Sequence, residues 1–214
     1  MDPSETASNE PGEGPAPADP ASASETPPDG LSGPRAPAGP VDPVLLREAV
    51  GQVVPDGFHH DVVQVRVIIP HPVGAVWGWL DDPATFVDGQ VWPFAVEFHH
   101  PPGTHAFRPG VRNDHHGPFL SLPAVVGAVR PPAHRELLYL YGAHVFSTRL
   151  LRPSRLLFDL ESSHDQRRTR LTVTTEAVVR APVLGLWRAG NRWFWPRLGR
   201  WCDASLSARA DGTL

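Results

Sequence analysis

Residues 182–209 constrain the fold more than any other part of the chain. Leu184, Trp187, Asn191, Phe194, Leu198, Trp201 and Ser205 recur at steps of three and four, the spacing of one face of an α-helix. Arg188, Arg192 and Arg200 fall on the opposite side. Pro196 removes one backbone hydrogen bond and is expected to kink the helix. An amphipathic helix of this length needs an apolar surface to lie on, and the rest of the chain must supply it.

The preceding sequence supplies strands. Residues 62–69 (VVQVRVII) are β-branched and alternate, with Val63, Val65, Val67 and Ile69 on one face. Residues 72–80 open on a proline and place Val73, Val76, Trp77 and Leu80 on one helical face, until Asp81-Asp82-Pro83 breaks the pattern. A further helical turn is expected over 84–89. Strand-like runs follow at 93–100, 106–116, 123–130, 135–141, 144–150, 155–161 and 169–180. Pro101-Pro102-Gly103, Pro131-Pro132 and Ser162-Ser163-His164-Asp165 punctuate them. The short gaps predict antiparallel hairpins, so the class is α+β.

Composition divides the chain. Residues 1–43 hold eleven of the 26 prolines and eight acidic residues against one basic residue, Arg35. So few large apolar side chains cannot offset the entropy of ordering, and residues 1–40 are expected to be a disordered acidic tail. Deleting them is expected to leave the melting temperature nearly unchanged; a fall of several degrees would show that the tail docks. Asp42-Pro43 reads as a helix start, with a short helix over 43–54 that opens the domain 41–214. All nineteen basic residues are Arg, and the net charge is −4. The near-balanced charge of the domain and the lack of any nucleic-acid motif argue against nucleic-acid binding. Cys202 is the only cysteine, which excludes an intrachain disulfide. With no apolar run long enough for a span or a signal peptide, the expected location is cytoplasmic.

Residues 65–86, VRVIIPHPVGAVWGWLDDPATF, carry a family likeness. An apolar strand ending at Ile69, then Pro72, the pair Val76-Trp77, Asp81 or Asp82, and Phe86 resemble the START-like SRPBCC superfamily, as does Thr169-Arg170-Leu171-Thr172 before the last helix. The resemblance implies a helix-grip fold, a curved antiparallel sheet around the long C-terminal helix with an internal cavity. It implies a ligand-binding protein for a hydrophobic or aromatic small molecule, lipid- or polyketide-like. The rival it implies is a cyclase/dehydratase-type enzyme working in the same cavity. It implies no universal catalytic residue and no cofactor.

The candidate site residues come from placing the polar and aromatic residues of the sequence in that implied fold. Residues 112–117, Arg-Asn-Asp-His-His-Gly, form the densest polar cluster among the strands. Alternation puts either Arg112, Asp114 and His116, or Asn113 and His115, toward the interior. His115, His116, Asp114 and Tyr141 are the candidate acid–base residues. Trp77, Arg112, His116, Tyr139, Tyr141, Trp187, Asn191 and Phe194 are the candidate ligand contacts. Asn191 sits within the apolar stripe and needs a partner, either protein or ligand. The histidine pairs His59-His60, His99-His100 and His115-His116 lack a metal-ligand spacing, so no metal is expected. The Trp and Arg residues of 187–201 fit weak contact with an anionic membrane surface, though covering the sheet is the commoner role of such a helix.

Overall fold

The computed structural model describes residues 54–89 and 93–212. The acidic tail and the helix expected over 43–54 lie outside the described residues, Val54 aside. Strand β1 (Phe58–Ile69) leads into helices α1 (Val73–Asp81) and α2 (Pro83–Asp88). Asp82 separates the two helices, and its side chain accepts a hydrogen bond from the Ala84 amide at 3.0 Å to cap α2. Seven further strands follow among the described residues: β2 (Ala95–His99), β3 (Arg112–Gly117), β4 (Leu120–Arg130), β5 (His134–Tyr139), β6 (His144–Val145), β7 (Leu151–Ser162) and β8 (Thr169–Arg180). Helix α3 (Ala181–Ala210) ends them and runs unbroken through Pro196.

All pairings are antiparallel, in the order β1-β8-β7-β5-β4-β3-β2, with the short β6 beside β4. The first strand therefore pairs with the last. This leaves β1 and β2 at opposite edges of one open sheet, with the main core on one of its faces. Val65, Val67, Ile69, Leu156, Phe158, Leu160, Leu171 and Val173 point to one face. Helix α3 lies on that face, chiefly over β1 and β8. Trp79 of α1 meets Trp201 of α3 edge-on at 4.8 Å and closes one end of the core.

The helix presents a face slightly rotated from the expected stripe. Trp187, Asn191, Trp195, Leu198, Cys202 and Leu206 turn toward the sheet, whereas Phe194 is 49% exposed. Steps of four dominate here, and 3.6 residues per turn carries Phe194 off the contact and Trp195 onto it. Gly199 allows the close approach: a Cβ there would collide with the Val67 Cγ1 of β1. Gly190 on the same helix has nothing within 4 Å of its would-be Cβ. Gly190→Ala is therefore expected to stabilise by about 0.5–1 kcal/mol. Gly199→Ala should destabilise by about 1–2 kcal/mol in spite of the same propensity gain. Urea unfolding of the two variants checks the opposite signs.

Candidate functional site

The site is set by which face of β3 looks inward. Its pattern of polar residues carries no hydrophobic signal, so register decides. Asn113 lies opposite Ala124 of β4, and Ala124 opposite Tyr139 of β5. Ala124 and Tyr139 belong to the main core, so the row Asn113–Ala124–Tyr139 faces inward. His115 is two residues along the same face, opposite Leu122. Arg112, Asp114 and His116 face the other way. There Asp114 accepts from His99 Nε2 at 2.9 Å and from Arg112 Nε at 3.1 Å, an ion-pair cluster across the β2–β3 edge. His116 is exposed.

Asn113 is 1% exposed, and neither its amide nitrogen nor its amide oxygen has a hydrogen-bond partner. The Nδ1 of His115 is likewise shut off from solvent and unpartnered. Burial pushes the His115 imidazole down to about 4, against a hydrogen bond with the Leu122 backbone and the charge of Asp114. The ring is therefore neutral at pH 7 and offers a lone pair. Burial pushes the Tyr139 phenol up, so it stays protonated. Trp187 Nε1, on the helix above, is buried without a partner as well. Asn113 and His115 thus leave hydrogen-bonding capacity unfilled on the inner face of β3, the pattern of a site for a largely apolar ligand with a polar end.

Asn191 has found its partners within the protein. Its Oδ1 accepts from Thr175 Oγ1 at 2.9 Å and from Trp195 Nε1 at 2.8 Å, and its Nδ2 donates to the Trp187 carbonyl at 3.0 Å. Both lone pairs of the oxygen are used. Asn191→Leu is expected to cost about 1–2 kcal/mol, because it strands the Trp195 indole N–H. Affinity of the folded protein for a ligand should be unchanged. A fall in affinity without loss of stability would return Asn191 to the ligand contacts.

The other sequence candidates separate. Trp77 is buried in the core on α1, and Trp187 packs against Leu151, Ala177 and Val179. Tyr141 stands in the turn after β5 and is 74% exposed, apart from Tyr139. Arg135 is a buried polar residue that sequence reasoning passed over. It is 2% exposed, although the two-residue spacing to Leu137 and Tyr139 already placed it on the inner face. Its Nη1 donates to the Leu80 carbonyl at 2.7 Å and stands 3.7 Å from Asp81 Oδ1. Desolvation lowers the Arg135 guanidinium to about 10, against the pull of Asp81. Desolvation also raises the Asp81 carboxyl, against His105 and Arg135. Both directions express one fact: the pair is taken partly out of water.

No group of three or more potential metal ligands comes together among the described residues, and no described helix is long and apolar enough to cross a membrane. A hollow of about 620 Å³ opens on the outer face, where Gln64, Arg66, Arg130, His134, Asp159 and Arg170 line it. It is polar and open, and it is not the cavity expected between sheet and helix.

No protein-family model matches the sequence, and no curated protein matches it. Solved structures do. The Zhui aromatase/cyclase from Streptomyces sp. R1128 superposes with a TM-score of 0.51 at 15% identity, covering 71% of this chain and 96% of that one. A protein from Nitrosomonas europaea gives 0.50 at 14% identity, covering 70% and 96%. DynU16, from the dynemicin biosynthetic locus, gives 0.47 at 20% identity over 71% of this chain, which spans about half (49%) of DynU16. At such identities the likeness is one of architecture: the chain has the helix-grip fold.

Proposed function

We propose that the chain binds a hydrophobic or aromatic small molecule, lipid- or polyketide-like, between the inner faces of β3–β5 and the N-terminal half of α3. The observation that carries this reading is Asn113, an amide sealed inside an apolar face with donor and acceptor both unfilled. Leaving such a group unpaired costs about 1–3 kcal/mol, which a bound polar group recovers. The helix-grip architecture shared with an aromatase/cyclase adds support. Native mass spectrometry of the purified protein is the test. A co-purifying small molecule is expected; the apo mass alone, with no binding across a panel of lipids and aromatics, would overturn the reading.

A second reading, an enzyme of the cyclase/dehydratase type, is favoured by the neutral His115 and the protonated Tyr139 on one inner face. They are a proton acceptor and a proton donor of the kind such a reaction uses. It requires a ligand whose mass or absorbance changes on incubation with the protein, and unchanged recovery would set it aside. The outer side of α3, with Trp193 and Phe194 among Arg192, Arg197 and Arg200, supports weak contact of 187–201 with an anionic membrane. Cosedimentation with anionic vesicles tests it, and no difference from neutral vesicles would exclude it.

A further inference from the structure

The two edges of the sheet are not alike. Strand β2 is five residues long and carries Glu97 and His99, the latter 2.9 Å from Asp114. Short, charged edge strands are one way in which sheets avoid pairing with another chain. Strand β1, at the opposite edge, has twelve residues, and among the described residues it pairs only with β8. That pairing runs from Phe58 to Ile69 without a register shift, whereas β4–β5 and β7–β8 each contain one. No proline interrupts it. Its inward carboxylate, Asp61, is taken up by Arg188 and leaves no free charge to repel a neighbour. Val62 and Ile68 stand on the outer face, 52% and 59% exposed.

A long, straight edge with apolar residues on its open face is a template for a further strand. We propose that β1 docks a second copy of this chain, strand to strand and antiparallel, about a two-fold axis through Val65. The two sheets then continue into one another through β1 and its copy. The inference does not rest on the ligand-binding reading, because β8 and β7 stand between β1 and the strands β3–β5.

The order of residues along β1 chooses both the partner and the register. With Val65 opposite its own copy, Val62 meets Ile68, Gln64 meets Arg66 and Val63 meets Val67 on both sides of the axis. A two-fold contact requires such self-matching. Aliphatic residues face aliphatic residues and an amide faces a guanidinium, cross-strand pairs that stabilise a sheet. Arg66 Nη2 already donates to Gln64 Oε1 at 3.2 Å within its own strand, so the two groups are suited to meet across the axis. Asp61 falls opposite Ile69, the one mismatch, and Arg188 has already neutralised that carboxylate.

Neighbouring registers lose this match. Inner residues must stay opposite inner residues, so the axis passes through a residue and not between two. An axis through Gln64 sets Val62 against Arg66 and His60 against Ile68. One through Arg66 brings the two Arg66 guanidiniums together, and like charges directly opposite destabilise a sheet. One through Val63 sets Val62 against Gln64 and His60 against Arg66. The symmetric order of side chains about Val65 therefore fits the strand itself rather than a foreign peptide.

Sedimentation equilibrium of the full chain is the test. The unmodified chain should show twice the mass of one chain and dissociate on dilution. Val62→Lys/Ile68→Lys sets lysine against lysine on both sides of the axis and should weaken the dimer at least about a hundredfold. Both positions are exposed, so the fold should persist, and circular dichroism checks it. Val62→Thr/Ile68→Thr, with an expected loss of about tenfold, replaces the charged variant if that fails to fold. Register is tested by mixing. Val62→Lys with Ile68→Glu should restore the dimer, because the two positions meet across the axis, whereas Val62→Lys with Val62→Glu should not. A single-chain mass for the unmodified chain at every concentration would overturn the proposal, as would a dimer indifferent to substitution at Val62 and Ile68. Equal rescue by the two mixtures would overturn the axis through Val65.

Discussion

Asp81→Ala is expected to lower the free energy of unfolding by about 3 kcal/mol, measured by urea denaturation. The substitution deletes a side chain that is itself partly open to solvent, so little packing is lost. What it removes is the counter-charge of Arg135, whose side chain is 2% exposed and whose Nη1 stands 3.7 Å from the carboxylate. A buried cation that loses its partner is among the most destabilising changes a core can suffer, at about 3–5 kcal/mol. The lower end applies because the Leu80 carbonyl still accepts from Nη1 and Phe107 still stacks on the guanidinium. The double variant Asp81→Ala/Arg135→Leu should recover part of the loss, since it leaves no charge to strand. A change of less than about 0.5 kcal/mol in the single variant would show that water reaches Arg135.

The second large effect is a dependence of stability on pH. Burial holds His115 at about 4 in the folded chain, against about 6.5 for an unperturbed histidine. In that window the unfolded chain binds a proton that the folded chain refuses. Stability is therefore full above about pH 6.5 and declines as the pH falls toward 4. At 1.36 kcal/mol per pKa unit the loss attributable to this one ring is about 3 kcal/mol. His115→Leu should remove that component of the slope, whatever it does to stability at neutral pH. Unfolding free energies at pH 7 and pH 4.5 for both proteins give the answer, and parallel slopes would refute the buried neutral ring. A ligand donating a hydrogen bond to Nδ1 should extend the same protection to lower pH.

The extent of legibility in the sequence follows from where hydrophobic periodicity exists. Strand β8 falls on the expected residues 169–180 and α3 on 181–210 against 182–209, because both have sustained periods. β1 begins at Phe58, four residues before its alternating run, because pairing with β8 continues through His59, His60 and Asp61. Asp61 is stabilised there by a salt bridge from Arg188, a long-range contact with no local signature. The run 106–116 becomes a strand only at Arg112. Gly110, with a φ of 86°, lies in a turn that strand geometry excludes, while Ala106 and Phe107 are buried as loop residues. The run 144–150 shortens to a two-residue strand, with Phe146 at a φ of 66° directly after it.

By itself the sequence determined the elements: antiparallel strands, two short helices after the first of them, and a long closing helix. Those follow from alternation, from helical spacing and from the need of each amphipathic element for a cover, whereas their gathering into one curved sheet was implied only by the likeness of residues 65–86. Tertiary structure alone decided the site. Alternation in Arg-Asn-Asp-His-His names two faces and cannot say which is inner; pairing of Asn113 with Ala124 settles it. A helical wheel places Phe194 and Trp195 about 100° apart, and only tertiary contacts, Gly199 against Val67 and Trp195 against Phe158 among them, fix which of the two meets the sheet. The arginine that reaches the core does so because Phe107, Phe158 and the Leu80 carbonyl receive it from three separate elements. Burial of a charge depends on partners distant in sequence, and local pattern carries no record of them.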